Sequence, residues 1–352
     1  MRLPVPRGPL SAALTEALRE PPSSVSFPAE GASDPMADED LHLCLYVCYG
    51  LHSYGIDGID DSWEWEPSIV SLRTGLERRF EEALREGIDD SSLPEPGELE
   101  TWLGALAAEG LRDRQLSSYL ASRATLEQFR EFVVHRSIYT LHEADPHTLA
   151  IPRISGAPKA GLVEVQVDEY GSGHLPNMHS HLFGSTMEGL GLSSEPDAYL
   201  DLVPATTLAT VNLVWMFALQ RRLRAALLGH LALFESTSTA PNRAYGNGLR
   251  RLGFGPAVTR YYDEHVEADA AHELIATFDV AGKYGLAHPD ETQQIAFGAV
   301  ALRSVEGRFA DELLQRWSRD QSSLLSLIPE RTERRADGPA MNLCVPSQSG
   351  AS

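Results

Sequence analysis

His265, Asp269 and His272 lie at i, i+4 and i+7 in EHVEADAAH, so a regular helix carries all three on one stripe. Two imidazoles and a carboxylate on one helical face are nitrogen and oxygen donors suited to a first-row transition metal. Glutamates in separate segments extend the set. Glu235 sits in the apolar stretch GHLALFES, where an unpaired carboxylate is costly to bury. A metal ion relieves that cost, and so does an ion pair with Arg224 or Arg243. Glu169 precedes His179 in VQVDEYGSGHLPNMHSHLF. Gly171 and Gly173, between them, interrupt the helix and let the two flanking turns point inward together. Glu143 closes an amphipathic run in IYTLHEADPH, just ahead of Pro146.

No thiolate accompanies these residues, and a mixture of carboxylate and imidazole suits non-haem iron or manganese better than zinc or copper. Glu143, Glu169, His179, Glu235, His265, Asp269 and His272 are too many donors for one ion but suit two ions bridged by carboxylates. No catalytic side chain beyond these ligands is expected. The second ring nitrogens of the histidines need acceptors, for which Asp168, Tyr170, Glu164 and Glu267 are near enough in sequence. Glu39 and His42 form an ExxH pair of the kind ferritin-like diiron bundles use, but they adjoin the charged run ADEDLH. His142 and His181 are further candidates for the neighbourhood of the site.

In combination these motifs resemble the haem-oxygenase-like dimetal oxidases, the iron-containing redox enzymes. The resemblance covers roughly residues 40–320 and is strongest over 125–305. It rests on LHEADPHTLAIPR, VEVQVDEYGSGHLPNMHSHLF, GHLALFE and YYDEHVEADAAH. It implies that all seven positions named above are ligands of two irons, cycling between ferrous and ferric, with dioxygen as co-substrate and an external electron donor such as a reductase. It also implies an all-α, haem-oxygenase-like bundle without haem. The expected activity is oxygenation of a small amine- or amino-acid-like metabolite, N-oxygenation first. Desaturation or C–C cleavage of an amino acid or fatty acid by the same site is the alternative. A non-catalytic helical protein that keeps a metal site is the reading of another class.

The elements that must position these residues follow from periodicity. Apolar residues recur at three- and four-residue steps over 38–54, 66–86, 98–109, 113–142, 155–169, 175–190, 205–236, 256–286, 289–305 and 308–325. Pro67, Pro204, Pro241, Gly255-Pro256 and Pro289 punctuate them. LVEVQV at 162–167 is the one short strand candidate. Residues 1–36 and 329–352 read as flexible ends around one helical domain, 37–328, with an N-terminal helical layer wrapped on the bundle.

Composition bounds the partners. Of 352 residues, 43% are hydrophobic and 22% charged, enough for a sizeable core. A net charge of −21 disfavours nucleic acid and anionic membrane as partners. Cys44, Cys48 and Cys344 supply no disulfide framework, so a cytoplasmic location is expected. Residues 205–234 are the most apolar long stretch, but Asn212, Gln220, Arg221, Arg222, Arg224 and His230 interrupt it, so no membrane span is expected. A homodimer is the default assembly for such a bundle. The cluster Tyr54, Trp63 and Trp65 is expected to pack the N-terminal layer.

Overall fold

The computed structural model describes residues 1–28, 31, 34–89, 92–112 and 115–329, apart from the side chains of 111, 112 and 268–270. Among the described residues it is all-helical. The helices are α1 (Pro9–Leu18), α2 (Glu39–Ser53), α3 (Pro67–Glu86), α4 (Leu99–Arg112), α5 (Gln115–Ser122), α6 (Leu126–Thr140) and the single turn α7 (Asp145–Thr148). They continue with α8 (Gly156–Glu169), α9 (His179–Gly189), α10 (Ala205–Leu219), α11 (Arg224–Arg251), α12 (Pro256–Leu274), α13 (Lys283–Ala287) and α14 (Thr292–Trp317). A π-helical segment, Ile275–Gly282, runs on directly from α12.

Local chemistry sets several starts. Asp38 accepts from the backbone N–H groups of Asp40 and Leu41 at the head of α2, and Thr125 and Gln128 form a capping box on α6. Pro67 and Pro256 occupy the first helical positions of α3 and α12, where the missing N–H costs nothing. The apolar stretch at 205–219 is α10, packed against α2, α6, α11 and α14 and buried on nearly every side. That surround explains its composition. No helix among the described residues is long and apolar enough to cross a membrane.

The long helices α11 and α14 cross at backbone contact. A Cβ on Gly229 would lie 1.8 Å from the Ile295 carbonyl oxygen, and one on Gly298 would lie 1.9 Å from that of Ala226. Only hydrogen fits at either position. The crossing fixes the register of α11, and with it the position of Glu235, six residues after Gly229 or about one and two-thirds turns further on.

Several boundaries differ from the periodic pattern. The run 113–142 is two helices, parted where Arg251 caps the carbonyls of Leu120, Ala121 and Ala124. The runs 289–305 and 308–325 fuse into α14, which carries the lone Gly307 between them without a break. LVEVQV lies inside α8, its alternation too short to decide against helix. Pro241 sits within α11 and does not end it. The hydroxyls of Ser236, Thr237 and Ser238 accompany it, donating to carbonyls one turn back in the same helix. The N-terminal segment is docked over much of its length: Leu10, Leu14 and Leu18 of α1 are buried, and Arg7 binds Glu39 and the Leu200 carbonyl. Residues 330–352, including Cys344, lie outside the described residues.

Gly298→Ala should therefore destabilise the protein by about 1–3 kcal/mol or more, since backbone must yield to the added methyl. Urea denaturation followed by circular dichroism measures it. A midpoint unchanged from wild type would show that the helices separate without cost.

Candidate metal centre

Three chain segments and one long helix bring the donors together. Glu169 is the last residue of α8 and His179 the first of α9. The connection is a pair of 3₁₀ turns, Gly171–Gly173 and Leu175–Asn177, and Gly171 adopts φ +59. A Cβ at Gly171 would stand 2.5 Å from the backbone of Asn177 and Met178. Glycine is required there on both counts, and this folded-back turn sets the carboxylate of Glu169 against the imidazole of His179. Glu143 follows α6 in an irregular turn. Glu235 projects from α11, while His265 and His272 project from α12.

The donors form two overlapping groups. Glu143, Glu169, His179 and His265 offer ligand atoms all within 4.8 Å of one another, and so do Glu169, Glu235 and His272. Glu169 belongs to both. Its Oε2 is 2.9 Å from His179 Nδ1 and its Oε1 is 3.8 Å from His272 Nδ1. His272 Nδ1 is 3.6 Å from Glu235 Oε2, and His265 Nε2 is 3.7 Å from Glu143 Oε2. All six side chains are buried.

A cation fits this arrangement better than mutual hydrogen bonding. Glu169 Oε2, His179 Nδ1 and His272 Nδ1 are buried with no hydrogen-bond partner. The 2.9 Å contact between Glu169 and His179 is thus close without being aligned as a hydrogen bond. Glu169 also ends α8, at the negative pole of the helix dipole, where a carboxylate is disfavoured unless a positive charge meets it.

Two of the three imidazoles facing the cluster have fixed outer contacts. His265 Nδ1 lies 2.9 Å from the Tyr261 carbonyl, so this nitrogen carries the proton and Nε2 turns a lone pair inward. His272 Nε2 lies 3.1 Å from Asp168 Oδ2, which leaves Nδ1 for the cluster. The Tyr261 hydroxyl donates to Glu143 Oε2 at 2.8 Å and restrains that carboxylate.

Ionisation follows from crowding in a dry volume. Burial, then the charge of Glu169, raises Glu143 well above the usual carboxylate range. Burial likewise raises Glu235. Burial also opposes the charge on Glu169, but His179 and the other imidazoles outweigh it and hold Glu169 down at about 2. Burial works against the charged forms of His179 and His272 too. Glu169 nevertheless lifts His179 to about 9, and Glu235 lifts His272 to about 9. Burial and the neighbouring His179 lower His265 to about 4.

A cavity of about 350 Å³ opens beside this centre, with Glu143 and His265 in its wall. Aromatic and aliphatic side chains, among them Phe183, Leu233, Phe234, Tyr139, Tyr261 and Tyr262, make up much of the remainder.

Six of the seven ligand positions named from sequence thus meet in one buried volume. The seventh, Asp269, lies on α12 with its side chain outside the described ones. Of the expected outer partners, Asp168 reaches His272. Tyr170 instead donates to Asp145 at 2.7 Å, and Glu164 and Glu267 are exposed. Glu39 joins Arg7 and the Ala205 N–H, and His42 packs with Asn212, so the ExxH pair is remote from the cluster. His142 stacks on Tyr54, 3.9 Å between ring centroids, and His181 is exposed. Arg224 binds Glu291 and Arg243 is exposed, leaving the buried Glu235 to face His272. Tyr261 was not anticipated, although it lies on the His265 stripe one turn earlier.

Residues 130–306 match the family described as iron-containing redox enzymes, and the chain belongs to it. The matched span contains every one of the seven positions. Among curated proteins, the chain is 27% identical over 222 residues to a nitrosourea synthase from Streptomyces achromogenes subsp. streptozoticus. The alignment takes in 62% of this chain and 47% of that protein, so the chain spans about half the length of this relative. Among solved structures, a domain of unknown function with a heme oxygenase-like fold from Shewanella denitrificans is similar over 64% of this chain and 94% of that one. The TM-score is 0.47 and the identity 16%.

Metal and protons compete for the same atoms. His179 and His272, both raised to about 9, carry protons at neutral pH in the metal-free protein and must lose them to bind a cation. Ferrous ion added anaerobically at pH 7 should release at least these two protons per chain, and affinity should climb from pH 6 towards 9. Indicator dye in weak buffer reads the protons. Uptake with no proton release would mean that the imidazoles are not ligands.

Proposed function

We propose that this chain is a non-haem diiron enzyme that activates dioxygen to oxidise a small amine- or amino-acid-like metabolite, with N-oxygenation as its reaction. The observation that carries this is the pair of donor groups sharing Glu169 beside a substrate-sized cavity. Glu143, His179 and His265 would hold one iron, Glu235 and His272 the other, and Glu169 would bridge them. Asp269 completes the proposed set from its place on the His265–His272 stripe. Two bound irons supply the redox chemistry with dioxygen.

The chain's own residues do the rest. Tyr261 and Asp168 hold Glu143 and His272 in place, which limits the ways the donors can relax. Phe183, Leu233 and Phe234 keep the cavity wall apolar and exclude water from the donor cluster. Structural metal sites are closed on all sides, whereas here a cavity reaches Glu143 and His265, which favours an enzyme over a metal site kept for stability. The choice of nitrogen as the oxidised atom draws on the relative named nitrosourea synthase, since a nitrosourea carries an oxidised nitrogen. Reducing equivalents must come from outside the chain, so an external electron donor belongs to the proposal.

Anaerobic loading with ferrous iron should give two irons per chain, and mixing with oxygen should give a transient visible absorption. Glu169→Ala should lose one or both irons and the absorption. Two firmly held irons in that variant would contradict a shared bridging carboxylate. Product analysis with amines and amino acids then separates nitrogen oxidation from attack on carbon.

A further inference from the structure

Beyond the donor cluster, the cavity wall contains a second polar feature. Arg136 of α6 and Glu306 of α14 meet there in a bidentate ion pair, with N–O distances of 2.8 and 2.7 Å. The guanidinium also lies 4.5 Å from the ring centre of Phe309. Burial works against its charge, yet Glu306 holds Arg136 firmly protonated. The pair is not sealed, because 22% of the Arg136 side chain and 29% of that of Glu306 remain accessible. A pair serving only to clamp α6 to α14 needs no cavity above it, and burying both charges for that purpose alone gives little stability. Two-point pairing leaves further N–H donors on the guanidinium and further lone pairs on the carboxylate. Arg303 and Asp311 also stand in this wall, Arg303 already paired with Glu109 at 2.8 Å.

Resting on the functional reading above, we propose that Arg136 and Glu306 are specificity residues that hold the zwitterionic head of the substrate. Its carboxylate would share Arg136, and its ammonium would share Glu306. A ligand with both charges complements the pair, whereas a purely anionic or cationic one leaves a partner opposed by like charge. Arg136 and Glu306 share the cavity wall with Glu143 and His265, so a ligand held at the ion pair can extend towards the donor cluster. An α-amino acid with a long side chain then places its far end at Glu143 and His265, where the proposed iron site begins.

Calorimetry on the iron-loaded and metal-free protein tests this with L-lysine, L-arginine and L-norleucine. Two analogues of lysine serve as controls: 6-aminohexanoate, which lacks the α-amino group, and 1,5-diaminopentane, which lacks the carboxylate. At least one amino acid should bind, and when lysine binds each analogue should be weaker by tenfold or more. Glu306→Gln and Arg136→Lys should weaken amino-acid binding by at least tenfold while keeping the wild-type iron content and thermal midpoint. Failure of all three amino acids, equal binding of the analogues, or unchanged affinity in both variants would overturn the assignment. Iron content is read separately. Amino-acid binding by a protein that takes up no iron would sink the diiron reading alone, and two irons without amino-acid binding would sink this one alone.

Discussion

Glu169 is the constraint on which the centre depends. Its carboxylate stands between three buried imidazoles and two further buried carboxylates, in a volume too dry for all of them to ionise freely. The groups respond in opposite directions: Glu169 is held at about 2 while Glu143 and Glu235 rise. Protons can distribute themselves among such groups, but they leave atoms such as His179 Nδ1 and Glu169 Oε2 without aligned partners. Cations satisfy those atoms without requiring any donor to be an acid. A cluster of this kind is expensive for folding unless something is bound there, so its presence is better explained by ligand binding than by stability.

The surrounding bundle serves to keep that expensive arrangement from relaxing. Gly171 lets α8 double back so that Glu169 and His179 face one another. The glycine crossing of α11 and α14 prevents α11 from sliding, which keeps Glu235 opposite His272. On α12, His265 and His272 take their facing from the helical repeat. Their orientation depends on bonds outside the cluster, to the Tyr261 carbonyl and to Asp168. Each device acts on a different chain segment, and the site exists only where all of them agree.

The donor set was legible because its chemistry is local: residue types at helical spacing, and a carboxylate in an apolar run where burying it unpaired is costly. That logic gathered Glu143, Glu169, His179, Glu235, His265, Asp269 and His272 into one candidate set, and the resemblance implied the same residues. Features that depend on how helices face one another were not legible. Arg136 and Glu306 are 170 positions apart and look like ordinary surface charges on amphipathic helices. Pro241 suggested a break because sequence position does not reveal that tertiary packing can carry a helix through a proline. The prolines near the start suggested a loose end, yet the three leucines of α1 already carried the spacing of a docked helix.

The two halves of the centre are not equivalent. Glu143 and His265 stand in the wall of the large cavity, whereas Glu235 and His272 do not. His272 is held instead by Asp168, whose side chain is 53% exposed. On the proposed function, a substrate in the cavity would meet the Glu143–His265 half first, with the Glu235–His272 half on the other side of the shared carboxylate of Glu169. Glu169 is the group common to both donor sets, and the halves also act on each other directly: Glu235 adds to the rise of Glu143, and His272 to the lowering of His265. Because Glu169 sits at the end of α8, next to a glycine-dependent turn, the relative placement of the two halves is tied to the geometry of a single loop.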